Sequence, residues 1–296
     1  MINKYFFSIG GIEFVISSSV SINFPPSYRK FITNNSSSSY LFCVNVYMES
    51  NVKVAQGKLL IKQRTYEWVK CERGMYYIFT GRNRDLKDDG NPWILEIESN
   101  ICNLFIPEAV LKQEFFDRPW LHRLFSYFLP DDYVLSHGGC VKIGNSGCLI
   151  LGECGKGKST FIDLMANIGY ETLCDDRVML HFAENELFAY STPWNMKNPQ
   201  YITNKKCRVK GACFLEHAHS EENKLIELDV SKGVKTMVSQ LYLPIPKKPL
   251  FYLVLYNKRL LKTTLMMWEY HFMPEKGAIH EFANKFEKYV SDKKTY

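Results

Sequence analysis

Residues 146–169 read SGCLILGECGKGKSTFIDLMANIG, and no other stretch of the chain restricts its fold as tightly. An unbroken apolar run ends in a glycine-rich segment, which opens directly onto an amphipathic pattern. Phe161, Leu164, Met165 and Ile168 share one face at α-helical spacing, and Gly169 is placed to stop that helix. The chain must therefore pass from strand to tight loop to helix without a linker. The loop GECGKGKST fits the template G-x-x-x-x-G-K-[ST], in which backbone N–H groups at a helix N-terminus surround an anion. On that template Gly152, Glu153, Cys154, Gly155, Lys156, Gly157, Lys158, Ser159 and Thr160 bind the nucleotide. Lys158 would reach the β- and γ-phosphates, and the Ser159 hydroxyl would take one position on Mg²⁺. The bland alternative is a glycine turn with a solvated Lys158. The strand before the loop and the helix after it favour phosphate.

The neighbours of the loop narrow the kind of nucleotide protein. Upstream, YVLSHGGCVKI and CLILG are joined by GNSG, which predicts a β-hairpin feeding the loop. Such a hairpin is foreign to an all-parallel sheet and predicts a mixed one. Downstream, one helix separates the loop from CDD, with Asp175 sixteen residues after Ser159. Two adjacent carboxylates can divide the work, one on Mg²⁺ and the other taking a proton from a hydroxyl. Ordinary turn carboxylates are the alternative. His137, at the base of the hairpin, is a candidate to orient an aspartate or a phosphate.

Composition bounds the rest. With 296 residues, 46% hydrophobic and 23% charged, one large or two ordinary globular domains are expected. No apolar run has the length of a membrane span. Glu13 interrupts the apolar start, so a strand is expected there rather than a signal peptide. Nine cysteines without a C-x-x-C pair suggest reduced thiols and a cytoplasmic setting. CFLEHAH, with Cys213, His217 and His219, lacks a second ligand pair and reads as a strand ending in a loop. From residue 201 onward Lys and Arg number 17 against 10 Asp and Glu, a solvated basic face or a surface for phosphates or an acidic partner. No nucleic-acid module is visible, and nucleic acid is not an expected partner.

The chain divides by pattern into 1–130 and 131–296. The first part shows short strands, IEFVI, YLFCVNVYM, KLLIKQ, YYIFTG and WILEIE, broken by TNNSSSS and RDLKDDGNP. A helix over DRPWLHRLFSYFL ends it, with Asp117 as N-cap and Leu121, Leu124, Phe125 and Phe128 inward. The second part continues past the loop with a strand pair over YETLCDDRVMLHF and LFAYS. A helix over DVSKGVKTMVSQL and a buried strand LFYLVLY follow. A last helix has Ile279, Phe282, Ala283 and Phe286 as its stripe.

The segment SHGGCVKIGNSGCLILGECGKGKSTFIDLMANIGYETLCDDRVML resembles the catalytic core of the HPr kinase/phosphorylase family. His137, Gly152, Lys158, Ser159, Asp175 and Asp176 fall at that family's spacing; Cys154 stands where the family has serine. The resemblance extends to HPr kinase-like proteins of peptide-maturation clusters, including lasso-peptide precursor kinases, through YSTPWNMKN and the C-terminal layout. It implies an α+β chain, a β-rich N-terminal domain followed by a phosphoenolpyruvate carboxykinase-like P-loop kinase domain with a mixed sheet. It further implies ATP and Mg²⁺ as cofactors and a serine of a peptide or small protein as acceptor. Catalysis would fall to Asp176, Asp175, His137 and Lys158, and the metal to Ser159 and Asp175. Trp194 and Lys197 would lie on the substrate side. A small-molecule hydroxyl kinase, or a nucleotide-binding regulator without phosphotransfer, are the alternatives, and a homo-oligomer is allowed.

Overall fold

A computed structural model of the chain describes residues 1–34, 40–49, 53, 56–63, 66–79, 93–106, 120–194, 204–217, 223–243 and 249–292. TNNSSSS beyond Asn34, RDLKDDGNP, Asp117, Lys197 and His219 lie outside the described residues. Two compact units appear, one centred on Met1–Phe128 and the other on Leu129–Leu243 with Lys248–Tyr296.

In the first unit β1 (Asn3–Ile9) and β2 (Ile12–Ser18) form a hairpin, with Gly10 and Gly11 at positive φ in its turn. The short α1 (Pro26–Arg29) and β3 (Ile32–Thr33) lead to β4 (Phe42–Met48). A meander follows through β5 (Lys58–Lys62), β6 (Tyr66–Lys70), β7 (Met75–Phe79), β8 (Trp93–Glu98) and β9 (Ile101–Ile106). Among the described residues these nine strands form one mixed sheet, in which β4 runs parallel to both β2 and β9. Strand alternation turns Phe42, Val44 and Val46 to the core. The helix α2 (Trp120–Phe128) buries Leu121, Leu124 and Phe125, while Phe128 stacks on Phe42 at 4.9 Å.

The second unit begins with β10 (Tyr133–His137), β11 (Gly139–Ile143) and β12 (Ser146–Leu151). The hairpin is β11–β12, with Gly144 at φ 57° in its turn. β10 belongs elsewhere in the sheet, paired with the later β14 (Arg177–Ala183) and β18 (Leu241–Tyr242). After α3 (Lys158–Asn167) come β13 (Glu171–Cys174), β14 and β15 (Glu186–Tyr190), then the long β16 (Lys206–His217). β17 (Lys224–Glu227), α4 (Val230–Ser239), β18, α5 (Pro249–Lys262), β19 (Met266–Phe272) and α6 (Lys276–Asp292) complete it. β16 runs parallel to β12 on one side and to β19 on the other, and among the described residues every other pairing in this sheet is antiparallel. The sheet is therefore mixed.

Helices cover both faces of this sheet. α3 and α6 bury Phe161, Met165, Ile279, Phe282, Ala283 and Phe286 against one, and α4 and α5 bury Val234, Met237, Tyr252 and Tyr256 against the other. That explains why β12 is buried throughout and runs apolar from Cys148 to Leu151: neither face of the strand meets water. The segment LFYLVLY corrects the expected buried strand, for it is the helix α5. Tyr252, Tyr256 and Leu260, four residues apart, form its buried face, and Tyr256 donates to the Tyr133 carbonyl at 2.9 Å. Leu250, Leu253 and Val254 point outward, so the run looked continuous in sequence although only one face is covered. No helix among the described residues is long and apolar enough to cross a membrane.

Candidate active site

The loop leaves the end of β12 and enters α3 through three glycines that other residues could not replace freely. Gly152, Gly155 and Gly157 have φ of 140°, 85° and 84°. A Cβ at Gly152 would sit 3.0 Å from the Leu215 carbonyl, and one at Gly157 would sit 3.2 Å from the Phe272 ring. β16 and β19 thus press against the loop from beneath, while Gly155 faces open space. Lys156 reaches out of the loop to Glu216 on β16 at 2.6 Å. The first-turn N–H groups of α3 have no carbonyl of their own helix to bond, as at every helix start.

Lys158 is the first residue of α3 and is buried. Its ammonium donates to the carbonyls of Gly152 at 2.8 Å and Glu153 at 2.9 Å. Burial pushes its pKa below the ordinary lysine value, against the opposing pull of Cys154 and Asp176. A buried cation on two neutral carbonyls is a site short of negative charge. Ser159 is partly accessible beside it, and Thr160, Glu153, Cys154 and Gly155 are exposed.

Asp175 and Asp176 connect β13 to β14, and both are buried. Two glycines bring them to the loop side of the sheet. The Gly138 N–H donates to the Asp176 carbonyl at 2.8 Å. A Cβ on Gly139 would lie 2.6 Å from the Cys174 carbonyl and 3.1 Å from the Asp175 Cα. Bare backbone at Gly139 lets the β10–β11 crossover lie flat on the carboxylate segment, while a Cβ on Gly138 would meet the Ile150 carbonyl of β12 at 2.7 Å. His137 Nδ1 then stands 3.3 Å from Asp176 Oδ1, at ion-pair distance but without hydrogen-bond alignment. The other oxygen, Oδ2, accepts from the Arg177 guanidinium. His137 and Arg177 are register partners in the β10–β14 ladder, so both side chains share a face.

Of the residues singled out by sequence, the loop residues form one continuous cradle, and Asp176 pairs with His137. Lys158 is near enough to feel the Asp176 charge. Trp194 is buried beyond β15. Cys213 is buried inside β16 and His217 closes that strand. Among the described residues no group of three or more His, Cys, Asp or Glu is arranged to hold a metal ion. Sequence reasoning passed over Arg177 and Glu216. Arg177 had a signal, a cation directly after the paired aspartates; Glu216 had none, because only the β16 register brings it to Lys156.

No family model matches the sequence, and no curated protein matches it. Solved structures do, among them the HPr(Ser) kinase/phosphatase from Coxiella burnetii. The match covers 55% of this chain and 98% of that one, at 13% identity and a TM-score of 0.34. That is a distant likeness, too slight to carry a conclusion about activity.

Proposed function

We propose that this chain is an ATP- and Mg²⁺-dependent phosphotransferase that delivers a phosphoryl group to a serine hydroxyl of a peptide or small protein. The observation that carries the reading is a lysine cradle short of negative charge together with a buried carboxylate whose charge acts on it: Lys158 on two neutral carbonyls, and Asp176 held against His137. A triphosphate fits the cradle because its oxygens replace the Gly152 and Glu153 carbonyls as acceptors for Lys158 and meet the free N–H groups of the first turn of α3. Ser159 and Asp175 are oxygen donors suited to Mg²⁺, which takes only one or two protein ligands beside phosphates and water. The metal would neutralise phosphate charge.

In this reading Asp176 accepts the proton of the attacking hydroxyl, and His137 holds the carboxylate in place. Lys158 draws charge from the phosphoryl oxygens as the bond to the leaving nucleotide lengthens. Positioning and charge neutralisation supply most of the rate. The serine-peptide acceptor is supported by the resemblance of residues 137 to 180 and of the C-terminal layout to the peptide-maturation kinases.

The test is transfer of label from γ-labelled ATP with Mg²⁺ to candidate peptides, comparing wild type with Asp176→Asn. The expected result is label on a peptide serine and a loss of 10²- to 10⁴-fold in the variant with ATP still bound. If ATP binds and no peptide is labelled, a small-molecule acceptor or a regulator without phosphotransfer replaces the peptide reading.

A further inference from the structure

We infer that Arg177 serves the same site as an anion donor held in reserve: its guanidinium rests on Asp176 in the free chain and moves to the terminal phosphate when the nucleotide enters. This rests on the phosphotransferase reading above and adds to it a residue that the loop motif does not contain.

Three observations lead to it. First, a buried donor beside the carboxylate is left without an acceptor. Asp176 Oδ2 takes one Arg177 N–H, yet the Arg177 Nε is closed off from solvent without a hydrogen-bond partner, and so is His137 Nδ1. Lys158 adds a buried ammonium that has only neutral carbonyls to bond. A buried guanidinium N–H without an acceptor is rare in folded chains, and it is what an incoming anion would satisfy. Second, the arginine is fixed at its root by backbone bonds, while its tip is held by side chains alone. Its carbonyl accepts from the Thr192 hydroxyl at 2.6 Å and its backbone is locked in the β10–β14 ladder. Its guanidinium lies over the Tyr242 ring at 5.7 Å, a weak attraction that a phosphate contact would outweigh. Third, the ion pair obstructs the proposed chemistry. A carboxylate that already holds a guanidinium offers only its remaining lone pairs to a hydroxyl proton. A phosphate is a stronger, bidentate acceptor for the same fork, so its arrival both recruits Arg177 and releases Asp176. Binding of ATP would thus free the proton acceptor, and ADP, lacking the terminal phosphate, would leave it masked.

The test reads affinity and needs no acceptor. ATP and ADP dissociation constants are measured with Mg²⁺ for wild type, Arg177→Gln and Arg177→Lys. The expected result is that Arg177→Gln weakens ATP at least tenfold with ADP changed less than threefold. Arg177→Lys, keeping the charge but not the fork, should fall between. In wild type, dicarbonyl modification of Arg177 followed by peptide mapping should be slowed by ATP and not by ADP, a readout that needs no variant to fold. Equal loss of ATP and ADP, or equal protection by both, overturns the inference and leaves the phosphate cradle standing. Failure of wild type to bind either nucleotide would remove the cradle reading itself, a result distinct from the other two.

Discussion

Replacing Lys158 by methionine should separate what the lysine does for the fold from what it does for ligand. In the free chain its ammonium makes two bonds to carbonyls, each worth about 1.5–3 kcal/mol for a charged donor. Against this stands the cost of burying an ammonium, several kcal/mol after relaxation. The lowered pKa says that desolvation outweighs the charges around it, so the two bonds offset only part of the burial cost. Methionine keeps the aliphatic volume, and the free-state stability should change by no more than about 2 kcal/mol in either direction. Ligand response is different. At ATP one hundred times its Kd, wild type gains about 2.7 kcal/mol, which for a unit of this size is a rise of roughly 5–10 °C in Tm. Lys158→Met should lose nearly all of it. The sign with pH follows from the same shift. Because the folded pKa lies below the ordinary 10.5, the burial penalty is present in full at neutral pH. It is relieved as pH rises through the lowered value toward 10.5, and a bound phosphate restores the proton. ATP-induced stabilisation should therefore weaken with rising pH across that window in wild type. The assay is a thermal melt with and without Mg²⁺-ATP for both proteins. A variant that keeps its ATP shift, or one that loses more than about 4 kcal/mol without ligand, would refute this account of Lys158.

Two further predictions test the loop and the sheet beside it. Gly155→Ala and Gly157→Ala both place a side chain at positive φ, a strain of about 1–2 kcal/mol, but only the second meets the Phe272 ring at 3.2 Å. Urea midpoints should show Gly157→Ala less stable than Gly155→Ala by about 1 kcal/mol, and equal midpoints would deny that β19 supports the loop. The Glu269 carboxyl is held below its ordinary range, first by the His271 bond at 2.8 Å and then by Lys232. That contribution is present above the unfolded value of 4.5 and is lost as pH falls through the folded one. Because the pair is partly exposed it amounts to about 1 kcal/mol at most, so His271→Gln should narrow the stability difference between pH 6 and pH 3.5 by less than that.

The parts of the fold that depend on short-range pattern were legible. The strand–loop–helix unit, the GNSG hairpin, Gly169 as a stop and the stripe of α6 follow from residues within a few turns of one another, and each lies where the pattern places it. What failed was legibility at longer range. LFYLVLY carries no polar residue to mark its period, so a helix covered on one face could not be told from a strand covered on both. YVLSHGGCVKI read as one segment, yet β10 and β11 never pair with each other. Gly138 between them and Gly139 at the start of β11 mark the break, and only the tertiary pairings of each strand show it.

The candidate site depends on that break. A crossover with a side chain at 139 would stand off from the Cys174–Asp176 backbone, since a Cβ there meets it at 2.6 Å. With glycine there, His137 and Arg177 become partners across one ladder and take the two oxygens of Asp176 between them. The spacing of the H-G-G segment and the paired aspartates in the sequence is therefore a packing requirement as well as a chemical one. The same bare backbone that admits the carboxylates also sets a guanidinium against them. Arg177 was missed because its role comes from a strand register, which no local motif encodes.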